Sequence, residues 1–536
     1  MNRELATHIL RGLVERAQEN RKSTFLSEAE LDAVRVLLGE RSSLEGDVPD
    51  QADDAPPEIP TLQVCWKQEV SEDTETRACL DFGTSYSKAF ACVGDDPDET
   101  PGLVGIKLSR NADGNDRFLL PSELIVHERS VHFGRSARKV FNDVAAEQER
   151  LIDNPKQFIT LSKDVSKLEK ISLSRTRDPE RRFSERDALV LYLAHLVRMF
   201  DVSLERDGHS NSMPLRYTHP AWKKDVAVAN EVAMKRIVAE AIALARQFPG
   251  EFEESIETRR ASSLLVAARS AEHEALPFGL IEETVLEATA AGAGALMDAR
   301  PSAGRQHFVI LDIGAGTTDV AGCICVRKSD GRAKVWELAN ARGAKGLAGN
   351  VIDNALRKHI LERSSLAQGS PEYVQADREL RKSIRTVKES LFNEGFQQVE
   401  LVTDEMVDVE RDTFLDEQTI RSMFEEIKEM VRNAAFANHE KGTEVFLVPT
   451  GGGASLPLVD ELAATPVERD GARILLKLRP AMPSNLQETY ADLEPNYPQL
   501  AVAIGGAHPA LPEQLPFLDS FTGDPGPKTL GPIYKS

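Results

Sequence analysis

Two stretches of this sequence combine an aspartate, glycine and hydroxyl side chains between apolar runs. They are ACLDFGTSYSKAFACV, in which Asp81 precedes the turn, and HFVILDIGAGTTDVAGCICV, in which Asp312 precedes it. The turn residues are Gly83, Thr84, Ser85 and Tyr86 in the first stretch and Gly314, Ala315, Gly316 and Thr317 in the second. Unpaired backbone N–H groups in such turns form a concave anion site, and glycine lets the anion approach. Both turns are therefore predicted to bind phosphate.

The two aspartates suggest a metal ion beside the phosphates. Asp81 and Asp312 close their strands at the same offset before the glycine, so their carboxylates are expected to converge. A hydrated Mg²⁺ suits this arrangement, held largely through its water molecules. One such turn is weak support for a nucleotide site, because hairpin turns use the same residues for conformational reasons.

A third glycine turn strengthens the prediction. VFLVPTGGGASLPLV places Gly451, Gly452 and Gly453 after an apolar strand and before a helix. Without side chains, this turn offers a flat surface on which a nucleoside can lie. Together the three turns predict a site for ATP and Mg²⁺.

The surrounding pattern indicates which elements position these turns. Hairpins are predicted at 77–93 and 307–326, each with its turn at the tip. Helices are predicted at 184–204, 226–247, 256–272, 281–299, 349–363, 371–394 and 416–440. A pattern of strands followed by helices thus occurs twice along the chain. It predicts an α/β protein with two related halves that face each other across a cleft.

The motifs that carry this pattern resemble those of a known superfamily. DFGTSYS and DIGAGTTDV resemble the first and second phosphate motifs of the DnaK-type heat-shock chaperones, within the actin-like ATPase superfamily. YTHPAW, LEATAAGAGAL, GLAGNVIDNAL and QLAVAIGGA are similar to further chaperone segments, in the same order, so the resemblance covers about 75–507. It implies a two-lobed actin-like ATPase fold with duplicated ribonuclease-H-like halves.

The resemblance also implies roles for particular residues. Asp81 and Asp312 would order the waters of Mg²⁺, and Glu287 would help to place them. Thr317 and Asp319 would orient the attacking water and the γ-phosphate. Gly349 and Lys388 would contribute to ATP binding, with Lys388 beside the adenosine.

Several positions depart from the chaperone pattern. The catalytic lysine of the family is expected within FGRSARKV, so Arg138 or Lys139 would take its place. Arg385 stands where an acidic ribose contact is expected, and Ser455 where an arginine stacks on adenine. The TGGGA turn looks more like the bacterial actin-like cell-shape and division proteins.

Domain organisation follows from composition and the resemblance. We expect an N-terminal helical extension at 1–44, an acidic proline-rich linker at 45–61, lobe I at 62–300, lobe II at 301–510 and a tail at 511–536. Nothing after Ala507 alternates like the β-sandwich that binds peptide clients in the full chaperones, so no client-binding domain of that kind is expected.

Composition narrows the classes of function. The chain has 536 residues and a formal net charge of -21, which disfavours general binding to nucleic acid or anionic membranes. It contains no apolar run long enough to insert into a membrane, and a cytoplasmic location is expected. The cysteines are expected to be buried reduced thiols: Cys65, Cys79, Cys92, Cys323 and Cys325.

These observations predict a chaperone-like nucleotide switch that slowly hydrolyses ATP and acts on a protein partner or client. The alternative is an actin-like filament-forming ATPase, which the TGGGA turn favours and the charge of -21 disfavours. A small-molecule kinase on the same scaffold is a third possibility, but no general-base aspartate for it can be identified in the sequence.

Overall fold

The computed structural model of the chain describes residues 76–94, 102–110, 116–143, 150–162, 164–222, 225–297, 305–327, 333–437, 439, 444–508 and 511–515. The expected N-terminal extension and linker, Cys65 and most of the expected tail lie outside these residues.

The first part of the described chain contains eleven strands and six α-helices. The strands are β1 Thr76–Asp81, β2 Tyr86–Val93, β3 Gly102–Ile106, β4 Ser109–Arg110, β5 Asp116–Arg117, β6 Leu120–Pro121, β7 Leu124–His127, β8 Ser130–Phe133, β9 Leu215–His219, β10 Ser255–Glu257 and β11 Ile281–Leu286. The helices are α1 Gly134–Asp143, α2 Gln157–Leu161, α3 Glu185–Asp207, α4 Ala227–Gln247, α5 Thr258–Ser270 and α6 Glu287–Met297.

The second part of the described chain contains the remaining strands and α-helices. The strands are β12 Arg305–Ile313, β13 Thr318–Arg327, β14 Ala333–Lys345, β15 Phe396–Glu400, β16 Met406–Glu410, β17 Val445–Thr450, β18 Val467–Arg469, β19 Ala472–Ile474, β20 Leu476–Leu478 and β21 Glu513–Leu515. The helices are α7 Gly349–Arg363, α8 Pro371–Glu394, α9 Arg411–Leu415, α10 Gln418–Phe436, α11 Pro457–Ala464, α12 Ser484–Thr489 and α13 Tyr497–Ala507. Short 3-10 helices occupy Val165–Lys170, Pro249–Phe252, His273–Ala275, Phe278–Leu280 and Ala491–Asn496.

Two sheets repeat one strand order. The first sheet runs β11-β9-β1-β2-β3, and the core of the second runs β20-β17-β12-β13-β14. In each sheet the first three strands in sequence are antiparallel, and the two later strands are parallel to the first. The protein is therefore mixed α/β with a duplicated sheet topology, and the structure confirms both hairpins predicted from the sequence.

Helix α3 shows how the core of the first half forms. Ser184 and Asp187 form a capping box that begins the helix, and Gly208 in the left-handed conformation, with φ of 76°, ends it. Leu189, Tyr192 and Leu196 are fully buried among the other apolar residues of this half. A helix that is apolar on most of its circumference must be covered on several sides, as α3 is by α4 and its neighbours.

Helices α6 and α13 join the two sheets. Helix α13 follows the five core strands of the second sheet in sequence but packs on β1 and β2 of the first sheet and on α6. The two helices approach closely enough that a Cβ on Gly505 would lie 1.9 Å from the carbonyl oxygen of Ala290. The AVAIGGA and EATAAGAGAL segments are rich in alanine and glycine because larger side chains would separate the helices.

One predicted element is partly wrong. The predicted helix at 281–299 begins as strand β11, and α6 starts only at Glu287. The backbone of this segment pairs with β9, so sheet formation overrides its helical spacing. The other predicted helices are confirmed, with ends shifted by a few residues.

Two other expectations concern burial and membranes. Cys79, Cys92, Cys323 and Cys325 are buried and form no disulfide among the described residues, as predicted. Within the described ranges, no helix is long and apolar enough to cross a membrane.

Candidate functional site

The tips of the two hairpins lie against each other. A Cβ added to Gly316 in the second turn would lie 2.6 Å from the Oγ1 and Cγ2 atoms of Thr84 in the first turn. Real Cβ contacts are essentially never this short, so glycine is required for the turns to meet. The two sequence motifs, more than 200 residues apart, therefore line one common space.

The first hairpin presents a neutralised carboxylate. Asp81 and Lys88 are cross-strand partners on β1 and β2, and the Lys88 Nζ lies 2.6 Å from Asp81 Oδ2. On the neighbouring parallel strand β9, the Thr218 hydroxyl donates to Asp81 Oδ1 at 3.2 Å. Both contacts hold the buried carboxylate in a fixed orientation.

The second hairpin presents two carboxylates instead. Asp312 and Asp319 are cross-strand partners on β12 and β13, and both are buried. The Thr450 hydroxyl, at the end of parallel strand β17, donates to Asp312 Oδ1 at 3.2 Å. Asp319 Oδ2 is buried and accepts no hydrogen bond from the described residues.

A buried ion pair adds a further carboxylate and a lysine. Glu287 is the first residue of α6, and its Oε1 lies 2.5 Å from the Nζ of Lys156, which immediately precedes α2. Burial lowers the pKa of Lys156, but Glu287, Asp81 and Asp319 outweigh it and hold the pKa above its ordinary value. Lys156 therefore stays protonated among carboxylates from both halves.

The carboxylates repel one another in this buried space. Burial, with the neighbouring charges of Glu287 and Asp81, raises the pKa of Asp312 to about 6. Burial, Glu287 and Asp312 raise the pKa of Asp319 to about 8. Burial also raises the pKa of Glu287, against the opposing charge of Lys156. Burial is the main cause of all three raised pKa values, and the neighbouring carboxylates add to it.

The third turn closes onto the second hairpin. Gly451 has φ of 78°, and a Cβ there would lie 2.5 Å from Asp312 Oδ1 and 2.4 Å from the Ile313 carbonyl oxygen. The Gly453 amide donates to the same carbonyl at 2.9 Å. Gly452 has no neighbour within 4 Å of a built Cβ and is exposed, so it faces open space.

Helices α7 and α8 bring further predicted residues to the second turn. The amide of Gly349, the first residue of α7, donates to the Gly314 carbonyl at 3.1 Å. Lys388 on α8 pairs with Asp353 on α7 at 2.7 Å, and its Nζ lies 3.3 Å from a Cβ built on Gly349. Both residues thus lie beside the second turn.

The two residues predicted to replace the family lysine do not join the carboxylates. Arg138 pairs with the buried carboxylate of Glu123, and Lys139 is exposed on the surface of α1. Lys156 occupies the position among the carboxylates instead. The prediction of Arg138 or Lys139 is therefore corrected, because on helix α1 one side chain pairs elsewhere and the other points to solvent.

Sequence reasoning missed Lys88 and Lys156 for different reasons. Lys88 lies inside the first motif, and counting across the hairpin from Asp81 would have found it. Lys156 comes from the segment IDNPKQF, and only packing of this segment against α6 brings it to the carboxylates. No pattern in the sequence marks that contact.

His219 is a structural neighbour of the site. Its ring stacks on Trp222 with the ring centres 4.5 Å apart, and its Nδ1 lies 2.9 Å from the Pro220 carbonyl. Burial, together with the nearby charge of Lys156, lowers its pKa to about 4. His219 is thus neutral at physiological pH and packs beside the site.

The donor set fits a cation held through water. Asp81, Glu287, Asp312 and Asp319 bring four carboxylates, whereas Lys88 and Lys156 bring two positive charges. Among the described residues, no group of three or more histidine, cysteine, aspartate or glutamate side chains is arranged to hold a metal ion directly. Carboxylate oxygens are ligands of the kind that Mg²⁺ takes, together with its own water molecules.

Comparison with known proteins adds no family assignment. No family model matches the chain, and no curated protein matches it significantly.

Proposed function

We propose that this protein binds ATP and Mg²⁺ between its two halves, hydrolyses the ATP slowly, and thereby switches its interaction with a protein partner. In this proposal the fold is the two-lobed actin-like ATPase fold, with two ribonuclease-H-like halves and closest to the ATPase domain of DnaK-type chaperones. The repeated strand order and the two joining helices α6 and α13 support that assignment.

The observation that carries the proposal is the contact between the two glycine turns. Thr84 and Gly316 meet at the hairpin tips, and buried Asp81, Asp312 and Asp319 lie on the adjoining strands, at or within one residue of the strand ends nearest the turns. A polyphosphate bound by the backbone N–H groups of both turns would lie against these carboxylates. A divalent cation between them would offset the repulsion between phosphate and carboxylate. Mg²⁺ there would neutralise charge on the phosphates during their transfer to water.

Individual side chains would have separate roles in binding the phosphates, orienting water and accommodating the nucleoside. Lys156 would present a positive charge to the phosphates, and Lys88 would hold Asp81 ready to order water around the cation. Asp319, with its pKa near 8 and one unpaired oxygen, would accept a hydrogen bond from a water molecule and orient it. Gly451 and Gly452 would leave room for the nucleoside.

A switch follows physically from this arrangement. Because the turns belong to different halves, a terminal phosphate bound by both would hold the halves together, and its loss would release that link. The two states would then differ in affinity for a partner that recognises one relative position of the halves.

The test measures ATP turnover and Mg²⁺-dependent ATP binding of the full chain and three variants. Asp312→Ala and Lys156→Met are each expected to lower turnover by about 100-fold, on the scale of other electrostatic catalytic groups. Lys139→Met is the matched control, since this lysine is exposed, and it should turn over ATP like the parent.

Four outcomes would contradict the proposal or parts of it. A parent that binds no ATP, or an Asp312→Ala variant that binds and hydrolyses it like the parent, would overturn the nucleotide site. If Lys139→Met and not Lys156→Met lost activity, the assignment of the lysine would be wrong. ATP-dependent polymerisation seen by light scattering would favour the filament-forming alternative over a partner switch.

A further inference from the structure

Arg385 connects the second half of the protein to the first phosphate turn. It lies on α8, and its Nη2 donates to the Ser85 hydroxyl oxygen at 2.9 Å, across 300 residues of sequence. Its guanidinium carbon lies 5.4 Å from the centre of the Tyr86 ring. Both partners belong to the turn predicted from the sequence to hold phosphate.

The neighbouring basic residues on α8 are neutralised, whereas no carboxylate of the described residues forms an ion pair with Arg385. Lys388 pairs with Asp353 at 2.7 Å, and Arg381 pairs with Asp377 at 3.0 Å. The partners of Arg385 are a hydroxyl group and an aromatic ring, neither of which carries charge. The charge of Arg385 also acts on the buried Glu123, but this carboxylate is already held by Arg138.

The guanidinium group of Arg385 has further N–H donors that suit the oxygens of an anion. Arginine has five N–H donors in a planar fork that matches two oxygens of a phosphate group. A positive charge that is half-buried beside a turn of unpaired N–H groups raises the affinity of that turn for anions. A neutral hydroxyl partner is readily exchanged for a charged phosphate oxygen, because bonds to charged acceptors are stronger.

We infer that Arg385 binds the phosphate chain of the nucleotide from the second half of the protein, so that the site selects ligands by their polyphosphate rather than by their nucleoside. This inference rests on the proposed function and narrows it to nucleoside di- and triphosphates. Without ligand, the Ser85 hydroxyl accepts the bond that a phosphate oxygen accepts in the complex. Tyr86 supports the guanidinium plane in both states.

The test is calorimetric titration of the full chain, in the presence of Mg²⁺, with ATP, ADP, pyrophosphate and adenosine. Arg385→Ala is expected to weaken binding of the three phosphate ligands by about 10-fold or more, the loss of one charge-assisted contact, and to leave adenosine binding unchanged. Arg381→Ala, one turn earlier on the same helix, is the matched control and should bind every ligand like the parent.

A second variant separates the effect of the positive charge at position 385 from the effect of the planar guanidinium group. Arg385→Lys keeps the charge without the planar fork and should recover part of the lost affinity for pyrophosphate. Thermal unfolding of each variant checks that helix α8 remains folded. Unchanged or tighter ATP binding by Arg385→Ala would overturn the inference, as would an equal loss of adenosine binding.

The ligands distinguish failure of this inference from failure of the proposed function. A parent that binds ATP, with an unaffected Arg385→Ala variant, would overturn the role of Arg385 alone. A parent that binds pyrophosphate through Arg385 but not ATP would overturn the ATPase proposal and leave the polyphosphate contact standing. A parent that binds neither would overturn both.

Discussion

The two hairpins share one backbone plan but carry opposite charge patterns at their tips. In each, an aspartate lies at or next to the end of the first strand, its cross-strand partner follows at the same offset, and a threonine on the neighbouring parallel strand donates to the aspartate. The partner is Lys88 in the first hairpin and Asp319 in the second. A single position thus distinguishes a carboxylate paired with a lysine from two facing carboxyl groups.

This difference gives the two hairpins different chemical properties. The first can fold and hold its carboxylate without help, because Lys88 compensates Asp81 at 2.6 Å. The second places two buried carboxylates opposite each other, and the pKa of Asp319 rises to about 8 as a result of burial and its neighbours. We infer that the second hairpin is the one whose charge a bound cation relieves.

Removing the lysine of the first hairpin should have the largest effect on stability. Lys88→Met leaves the buried Asp81 carboxylate with only a hydroxyl partner and is expected to lower the free energy of unfolding by about 3 kcal/mol. Urea denaturation of parent and variant measures this difference.

A double variant checks the cause of that loss. Asp81→Asn with Lys88→Met removes both charges and should recover most of the stability, because no uncompensated charge remains. If Lys88→Met alone unfolded at the same urea concentration as the parent, the ion pair of the first hairpin would not contribute to the free energy of unfolding.

Separating the two tips should have an intermediate effect. Gly316→Ala places a methyl group 2.6 Å from the Thr84 side chain, so the turns must move apart, at a cost of about 2 kcal/mol. Gly452→Ala is the matched control, since its methyl group meets nothing within 4 Å. Thermal unfolding and ATP titration of both variants compare them.

The two variants should differ in binding as well as in stability. Gly316→Ala is expected to weaken ATP binding through the displaced turns, whereas Gly452→Ala is expected to leave the stability of the ligand-free protein unchanged. Equal unfolding temperatures for the two variants would show that the contact between the hairpin tips does not contribute to stability.

Neutralising the second hairpin should have the smallest effect and the opposite sign. Asp319→Asn replaces a buried carboxyl group that is only partly ionised at neutral pH, because its pKa is about 8, and is expected to stabilise the ligand-free protein by about 1 kcal/mol at that pH. The same change should abolish ATP turnover, because an amide cannot take the proton or the charge that the carboxylate takes.

The pH dependence gives the sharper test of the same residue. The pKa of Asp319 is about 8 in the folded protein and 3.8 ordinarily, so unfolding releases a proton between these values. The contribution of this group to stability is therefore full below pH 4 and is lost as the pH rises towards 8. The free energy of unfolding of Asp319→Asn should fall less across this range than that of the parent; parallel curves would contradict the raised pKa.

Local chemistry made part of the site predictable. Both hairpins follow from alternating apolar residues around a glycine turn, and the cross-strand position of Asp319 follows from the length of that turn. The helices after the hairpins follow from apolar spacing, apart from 281–286, whose pairing with β9 is a tertiary contact. Lys156 could not be found in this way, since its role depends on the packing of α2 beside α6 rather than on its neighbours in sequence.

The sequence by itself determined the turns, their carboxylates and the repeated order of strands and helices, because these depend on residues close together in the chain. Only the tertiary structure decided that Thr84 meets Gly316, that Lys156 rather than Arg138 or Lys139 joins the carboxylates, and that Arg385 reaches Ser85. Each of these contacts joins segments far apart in sequence. The close packing of α6 against α13 holds the two sheets together and so positions these segments.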